Sequence, residues 1–182
     1  MFEVIAIIAA GIALAVAIVL ISAIRKPDAF RVQRVATIKA PAEGIFSLIN
    51  DFHRWGSWSP WENKDPAMKR SFSGADRGKG AVYAWDGNKN VGSGRMEILD
   101  TSVPSKIVIK LDFFKPFEGH NTAEFTMLPQ GGATNVGTII TWAMYGPAPF
   151  MSKLMQVFMN IDNMIGKDFE SGLANLKKLA EK

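Results

Sequence analysis

The stretch Pro149–Lys182, PFMSKLMQVFMNIDNMIGKDFESGLANLKKLAEK, decides how the rest of the chain must fold. Within it Leu154, Phe158, Ile161, Ile165, Phe169, Leu173 and Leu176 recur at steps of three and four, the spacing of one face of an α-helix. Lys153, Asp162, Lys167, Glu170 and Lys177 fall off that face. The pattern predicts one long amphipathic helix, whose apolar stripe must be buried against another element. Met151, Met155 and Met159, spaced four apart, form a further stripe. Methionine suits a pocket that accepts varied apolar shapes, and it also fills gaps in ordinary cores. Gly166 and Gly172 interrupt the helix at up to ~1 kcal/mol each relative to alanine. Close packing on the surface beneath is the expected reason, with a gating bend as the alternative.

Upstream, the period changes from helical to alternating. Phe30–Lys39 reads as a strand, followed by a helix start at Pro41, with Ile45, Phe46, Leu48 and Ile49 as its apolar face. Asp51 is placed to cap a second short helix or turn through Trp58. Strands are expected at 69–73, 81–85, 91–100, 105–113, 120–128 and 134–144. Asp86-Gly87-Asn88 and Gln130-Gly131-Gly132 read as tight hairpins. The order is strand, two short helices, six strands, long helix. That order predicts an α+β domain in two layers, with an antiparallel sheet covered on one face.

The N-terminal run Val4–Ile24 carries no charge, and only Gly11 and Ser22 interrupt its aliphatic residues. As a helix it is about 31 Å long, the thickness of a bilayer's hydrocarbon core. A cleaved signal peptide is the rival reading, but such peptides open with a basic residue, and this chain opens Met1-Phe2-Glu3. Residues 1–26 are therefore expected to be a single transmembrane anchor and residues 27–182 the domain it carries. Arg25, Lys26, Arg31 and Arg34 follow the run, which places the domain on the cytoplasmic side and the amino terminus outside.

The net charge of +4 forms no long basic tract, so no nucleic-acid partner is expected. The absence of cysteine excludes thiolate chemistry and cysteine-based metal sites. His53 and His120 show no metal-ligand spacing, no serine lies in a nucleophile elbow, and no cofactor is expected. The glycines at 74, 78, 80, 92 and 94 fit strand ends better than a phosphate loop.

Several segments together resemble the START-like (SRPBCC, or helix-grip) superfamily, particularly the polyketide cyclase/dehydrase and lipid-transport proteins. They are Ile38–Phe46 (IKAPAEGIF), Asn50–Trp61 (NDFHRWGSWSPW), Gly78–Trp85 (GKGAVYAW), Gly92–Met96 (GSGRM), Thr138–Trp142 (TIITW) and Asp168–Leu176 (DFESGLANL). The resemblance runs over residues 30–182. It implies a helix-grip fold, in which a curved antiparallel sheet of about seven strands wraps a long C-terminal helix around an apolar cavity. It also implies a small hydrophobic ligand such as a lipid, isoprenoid or polyketide.

Strand parity sorts the residues that face such an interior. Tyr83 and Trp85 share one face. Ile107, Ile109, Leu111 and Phe113 form another set, as do Phe125 with Met127, and Thr138, Ile140 and Trp142. The candidate ligand-binding residues are Trp58, Trp61, Tyr83, Trp85, Met96, Phe113, Phe125, Trp142, Met155, Phe158 and Met159; Trp55 is assigned to the core. Entry is expected between the Trp58–Trp61 loop and the last helix. Glu97, Asp112, Glu124 and Tyr83 are the available acid/base groups. Parity turns Asp112 and Glu124 to solvent, and Arg95 with Glu97 reads as a surface pair. No catalytic constellation emerges. Membrane-tethered binding or transport of a hydrophobic ligand is the first reading, a cyclase or dehydratase the second, and a protein-partner module the third.

Overall fold

A computed structural model describes residues 2–131 and 137–182. The chain opens with α1 (Phe2–Ile24), 23 residues with no polar face. At ~1.5 Å per residue it is about 34 Å long, long and apolar enough to cross a membrane. It is exposed along most of its length, but Ala23 at its foot is buried.

β1 (Ala29–Ile38) follows, then α2 (Ala42–Ile49), a 3-10 helix (Phe52–Ser57) and α3 (Pro60–Lys64). Pro41, in an extended conformation, sets the start of α2, and the Asp51 side chain accepts a hydrogen bond from the His53 backbone N–H at the start of the 3-10 turn. Six strands come next: β2 (Lys69–Gly74), β3 (Ala81–Asp86), β4 (Ser93–Ser102), β5 (Lys106–Lys115), β6 (Gly119–Gln130) and β7 (Gly137–Pro147). All pairs are antiparallel, in the order β1-β7-β6-β5-β4-β3-β2. β1 therefore leaves the meander to flank β7 and becomes the edge along which the last helix lies.

Two expectations change in detail, and a third falls outside the described residues. The turn after β3 is longer than Asp86-Gly87-Asn88. Asn88 accepts from the Asn90 N–H through its side chain and from the Gly92 N–H through its carbonyl, so a loop of residues 87–92 replaces a two-residue hairpin. The expected strand start at Thr134 and the Gly132 end of the second hairpin lie outside the described residues. The C-terminal segment is two helices, α4 (Phe150–Phe158) and α5 (Ile161–Ala180). Met159 and Asn160 are extended between them, and the Asn160 side chain accepts from the Asn163 N–H, capping α5 as an independent helix.

α5 lies on the concave face of the sheet and is fixed along its length. Arg34 on β1 reaches across to it. Its guanidinium donates to both carboxylate oxygens of Asp162 (3.1 Å each) and to Glu170 (2.6 Å). Arg34 thus belongs to the β1–α5 contact and not to the anchor's basic flank. Further along, Lys177 donates to the Thr37 carbonyl (3.0 Å), and the Lys39 N–H donates to Glu181 (2.7 Å). The two helix glycines mark the closest approaches. A Cβ on Gly166 would collide with the Arg34 guanidinium, and one on Gly172 would come 2.7 Å from the Trp142 ring. Close packing, rather than a gating bend, accounts for both.

Candidate functional site

The space between α5 and the middle of the sheet is filled by aromatic rings. Trp142 on β7 lies between Phe169 of α5 (4.2 Å between ring centroids, 7° between planes) and Phe125 of β6 (4.8 Å, 29°). Trp58 and Trp61 meet Trp142 edge-on, each at 5.6 Å. Trp58 is 1% exposed and belongs to the core with Trp55. Two indole N–H groups are satisfied by α2: Trp55 donates to the Ile49 carbonyl (2.9 Å) and Trp58 to that of Leu48 (3.2 Å). The Trp142 indole N–H is buried with no partner among the described residues. An orphan donor of this kind costs ~1–3 kcal/mol and suits an acceptor atom that is brought in.

Toward the end of the sheet where β1 begins, the packing loosens. Parity places Tyr83, Met96 and Leu111 in one row across β3, β4 and β5, and all three are buried. In the next row Trp85 and Phe113 approach edge-on at 5.8 Å across Gly94, and both are only partly buried. Beside β1, a hollow of about 570 Å³ opens between the strand and the α4–α5 break. Phe30, Val32, Val157, Phe158, Met159 and Ile161 line it together with the polar Gln156, Asn160 and Asp162, and Lys26 lies at its margin. A second hollow of about 520 Å³ flanks the other side of the α5 N-terminus, between Lys64 of α3 and Met159, Met164 and Asp168. The Lys64–Asp168 ion pair (2.6 Å) joins α3 to α5 beside it.

The sequence candidates therefore fall into three places. Trp58, Phe125 and Trp142, with Trp61 at their edge, form the ring cluster under α5. Tyr83, Trp85, Met96 and Phe113 lie on the sheet at the looser end. Met155, Phe158 and Met159 belong to α4 and the break; Phe158 and Met159 line the larger hollow, and Phe158 is 71% exposed. Phe30, Val32 and Ile161 were not singled out from sequence. Phe30 and Val32 alternate on one face of β1 with Arg34, so the parity argument used elsewhere would have found them.

Most polar groups close to the sheet are consumed by one another. The Tyr83 hydroxyl donates to Glu62 (2.8 Å), which also accepts from Arg70 (2.7 Å). Burial, then the hydrogen bond to the Glu62 carboxylate, raises the phenol well above its ordinary range and keeps it neutral. Arg95 pairs with Glu97 (2.8 Å), as expected, and Glu124 pairs with Lys106 (3.0 Å). Asp112 is not solvent-facing as expected. It is buried between Lys110 and His120 (2.8 Å each). Burial raises its pKa, but the hydrogen bonds from Lys110 and His120 outweigh that, and the net shift is downward. Among the described residues no cluster of histidine and carboxylate could hold a metal ion.

Solved structures share this architecture at low identity. A protein from Thermobifida fusca aligns with a TM-score of 0.60 at 15% identity, over 82% of this chain and 92% of its own. Ginseng major latex-like protein 151 from Panax ginseng aligns at 0.58 and 12% identity, over 86% of this chain and all of its own (100%). A START superfamily protein from Mycobacterium smegmatis aligns at 0.53 and 17% identity, over 83% and 97%. At these identities the likeness speaks for the fold alone. No curated protein matches the sequence. The sequence pattern of polyketide cyclase/dehydrase and lipid transport proteins matches residues 29–181, from the first residue of β1 to just past the end of α5, and by that match the chain belongs to this family.

Proposed function

We propose that residues 1–26 anchor the chain in a membrane and that residues 27–182 bind a small hydrophobic molecule with a polar end. The observation that carries this reading is the preformed hollow beside β1. Its volume of about 570 Å³ is of the size that takes small molecules, and its lining mixes apolar side chains with the polar Gln156, Asn160 and Asp162. Lys26 at its margin suits an acidic or strongly polar head, while Phe30, Val157 and Ile161 suit a tail. The partly buried pair Trp85–Phe113 supports an extension of the ligand along the sheet. The basic residues that follow α1 favour a cytoplasmic domain and an external amino terminus. Protease digestion confined to the outer face of sealed spheroplasts should leave the domain intact.

Solvent extraction and mass analysis of the full chain, purified in mild detergent, tests the binding reading. An apolar species should co-purify with the wild type and be lost from Val157→Trp, whose larger ring occupies part of the hollow. Equal recovery from both, or recovery from neither, refutes the assignment of this hollow.

One observation favours a second reading as a cyclase or dehydratase: the Tyr83 hydroxyl and the Glu62 carboxylate form a hydrogen-bonded polar pair (2.8 Å) beside the row of Tyr83, Met96 and Leu111, where a substrate's polar group can be held. Loss of turnover of a polyketide-like substrate in Tyr83→Phe, with binding retained, would support it.

A further inference from the structure

α4 is turned inside out for a helix on a water-facing surface. Phe150, Met151, Leu154, Met155 and Phe158 lie within one face of the helix at 100° per residue. That face is the outer one: Phe150 is 47% exposed, Met151 58% and Phe158 71%. The single charged side chain of the helix, Lys153, lies off that face. It is 9% exposed along its stem and pairs with Asp28, whose side chain is exposed in the link between α1 and β1. In water this arrangement wastes the apolar face.

The surroundings identify what covers it. α4 packs alongside the foot of α1, where Ala23 is fully buried. The outward face of α4 is thus continuous with the apolar surface of α1. The β5–β6 turn lies at the same end of the sheet, since β6 begins beside the end of β7 and β1 begins there too. That turn exposes Phe114 and Phe117 on either side of Lys115. Arg25 and Lys26 follow the last turn of α1 directly. Exposed aromatic and methionine side chains interleaved with basic ones, grouped around the exit of an apolar helix, match an interfacial surface and not a soluble one.

We propose that α4 lies in the membrane surface, with Phe150, Met151 and Phe158 in the acyl boundary and the mouth of the β1 hollow opening at the lipid headgroups. This rests on the anchor reading of α1 and adds a second, in-plane attachment that holds the mouth against the bilayer. A ligand could then pass between bilayer and hollow without crossing water.

The chain has no cysteine, so single introduced cysteines report their own sites. Leu14→Cys, Met151→Cys, Phe158→Cys and Val103→Cys are labelled with an environment-sensitive fluorophore. Each full-length protein is reconstituted in phosphatidylcholine/phosphatidylglycerol vesicles. Quenching is compared between lipid-borne nitroxides and aqueous iodide. The expected result is several-fold stronger quenching by nitroxide than by iodide at 14, 151 and 158, and the reverse at 103. Nitroxide quenching at 14 with iodide quenching at 151 and 158 leaves the anchor standing and overturns the α4 proposal. Iodide quenching at all four sites removes both. Protection from both quenchers at 151 and 158 means that protein, such as a second copy of the chain, covers α4, and that outcome also overturns the proposal.

Discussion

Replacing Phe169 by alanine tests whether the grip of α5 on the sheet is held by the ring cluster at its centre. Phe169 is 1% exposed, lies parallel to Trp142 at 4.2 Å and meets Trp61 edge-on at 6.2 Å. Deleting a buried phenyl ring costs ~3–5 kcal/mol, and the spread depends on how far the neighbours collapse into the void. Here collapse is hindered, because Trp142 is stacked on its other face against Phe125 at 4.8 Å. Each aromatic contact adds ~0.5–1.5 kcal/mol beyond area burial. A loss of about 4 kcal/mol is therefore expected, equivalent to a Tm lower by ~8–16 °C for a domain of about 150 residues. Urea denaturation of the full chain in detergent, followed by tryptophan fluorescence, measures it. The void should also stay dry and accept a small aromatic guest such as benzene, restoring part of the lost stability. A loss below ~1.5 kcal/mol with an unchanged m-value would refute the argument that this stack holds the helix.

Three other outcomes are expected. Gly172→Ala should destabilise by ~1–2 kcal/mol in thermal melts: its Cβ would press on the Trp142 ring at 2.7 Å, and overpacking outweighs the helical gain of up to ~1 kcal/mol. Tyr83→Phe should cost ~1–2 kcal/mol in urea denaturation, because it removes the donor to Glu62 while Arg70 still satisfies the other carboxylate oxygen. The hydrogen bonds from Arg34 hold Asp162 below its ordinary value of 3.8. A lowered folded-state pKa stabilises fully above the unfolded value and fades as pH falls through the folded one. The first turns of α5 should thus keep their amide protection at pH 5 and lose it in stronger acid, whereas Asp162→Asn should show the weaker protection at both.

How much of this was legible in the sequence follows from the range of each signal. Strand parity depends only on neighbours along the chain, and it placed Ile107, Ile109, Phe125, Met127, Ile140 and Trp142 in the core, all 2% exposed or less. Arg34 was misjudged because a basic residue shortly after an apolar run looks like an anchor flank. Its partners Asp162 and Glu170 lie more than a hundred residues away, and only the pairing of β1 with β7 brings them close. Asp112 had the correct parity, but His120 and Lys110 fold over it, and periodicity carries no information about such covers. The aromatic candidates were drawn toward a cavity by their composition. Composition does not distinguish rings that line a space from rings packed in a core, and Trp58, Phe125 and Trp142 are each 2% exposed or less.

The break at Met159–Asn160 ties the two unassigned features together. α5 runs along β1 in the strand's own direction, with Asp162 opposite Arg34 and Lys177 opposite Thr37. Extended backward as one helix, it would pass over Val32 and Phe30 and carry Leu154 and Phe158 onto the sheet, as the unbroken stripe in the sequence predicts. The extended residues at 159 and 160 reset the helical phase instead. Phe158 then turns outward, Lys153 reaches the exposed Asp28, and the hollow opens between β1 and the break. In water the straight form should compete, since burying Phe158 is worth ~1.5–3 kcal/mol against ~1 kcal/mol for the Asn160 cap. With α4 in a lipid surface that difference vanishes, because Phe158 is already removed from water. A membrane that receives α4 would therefore also keep the hollow beside β1 open, and lipid contact and access to the site become one equilibrium.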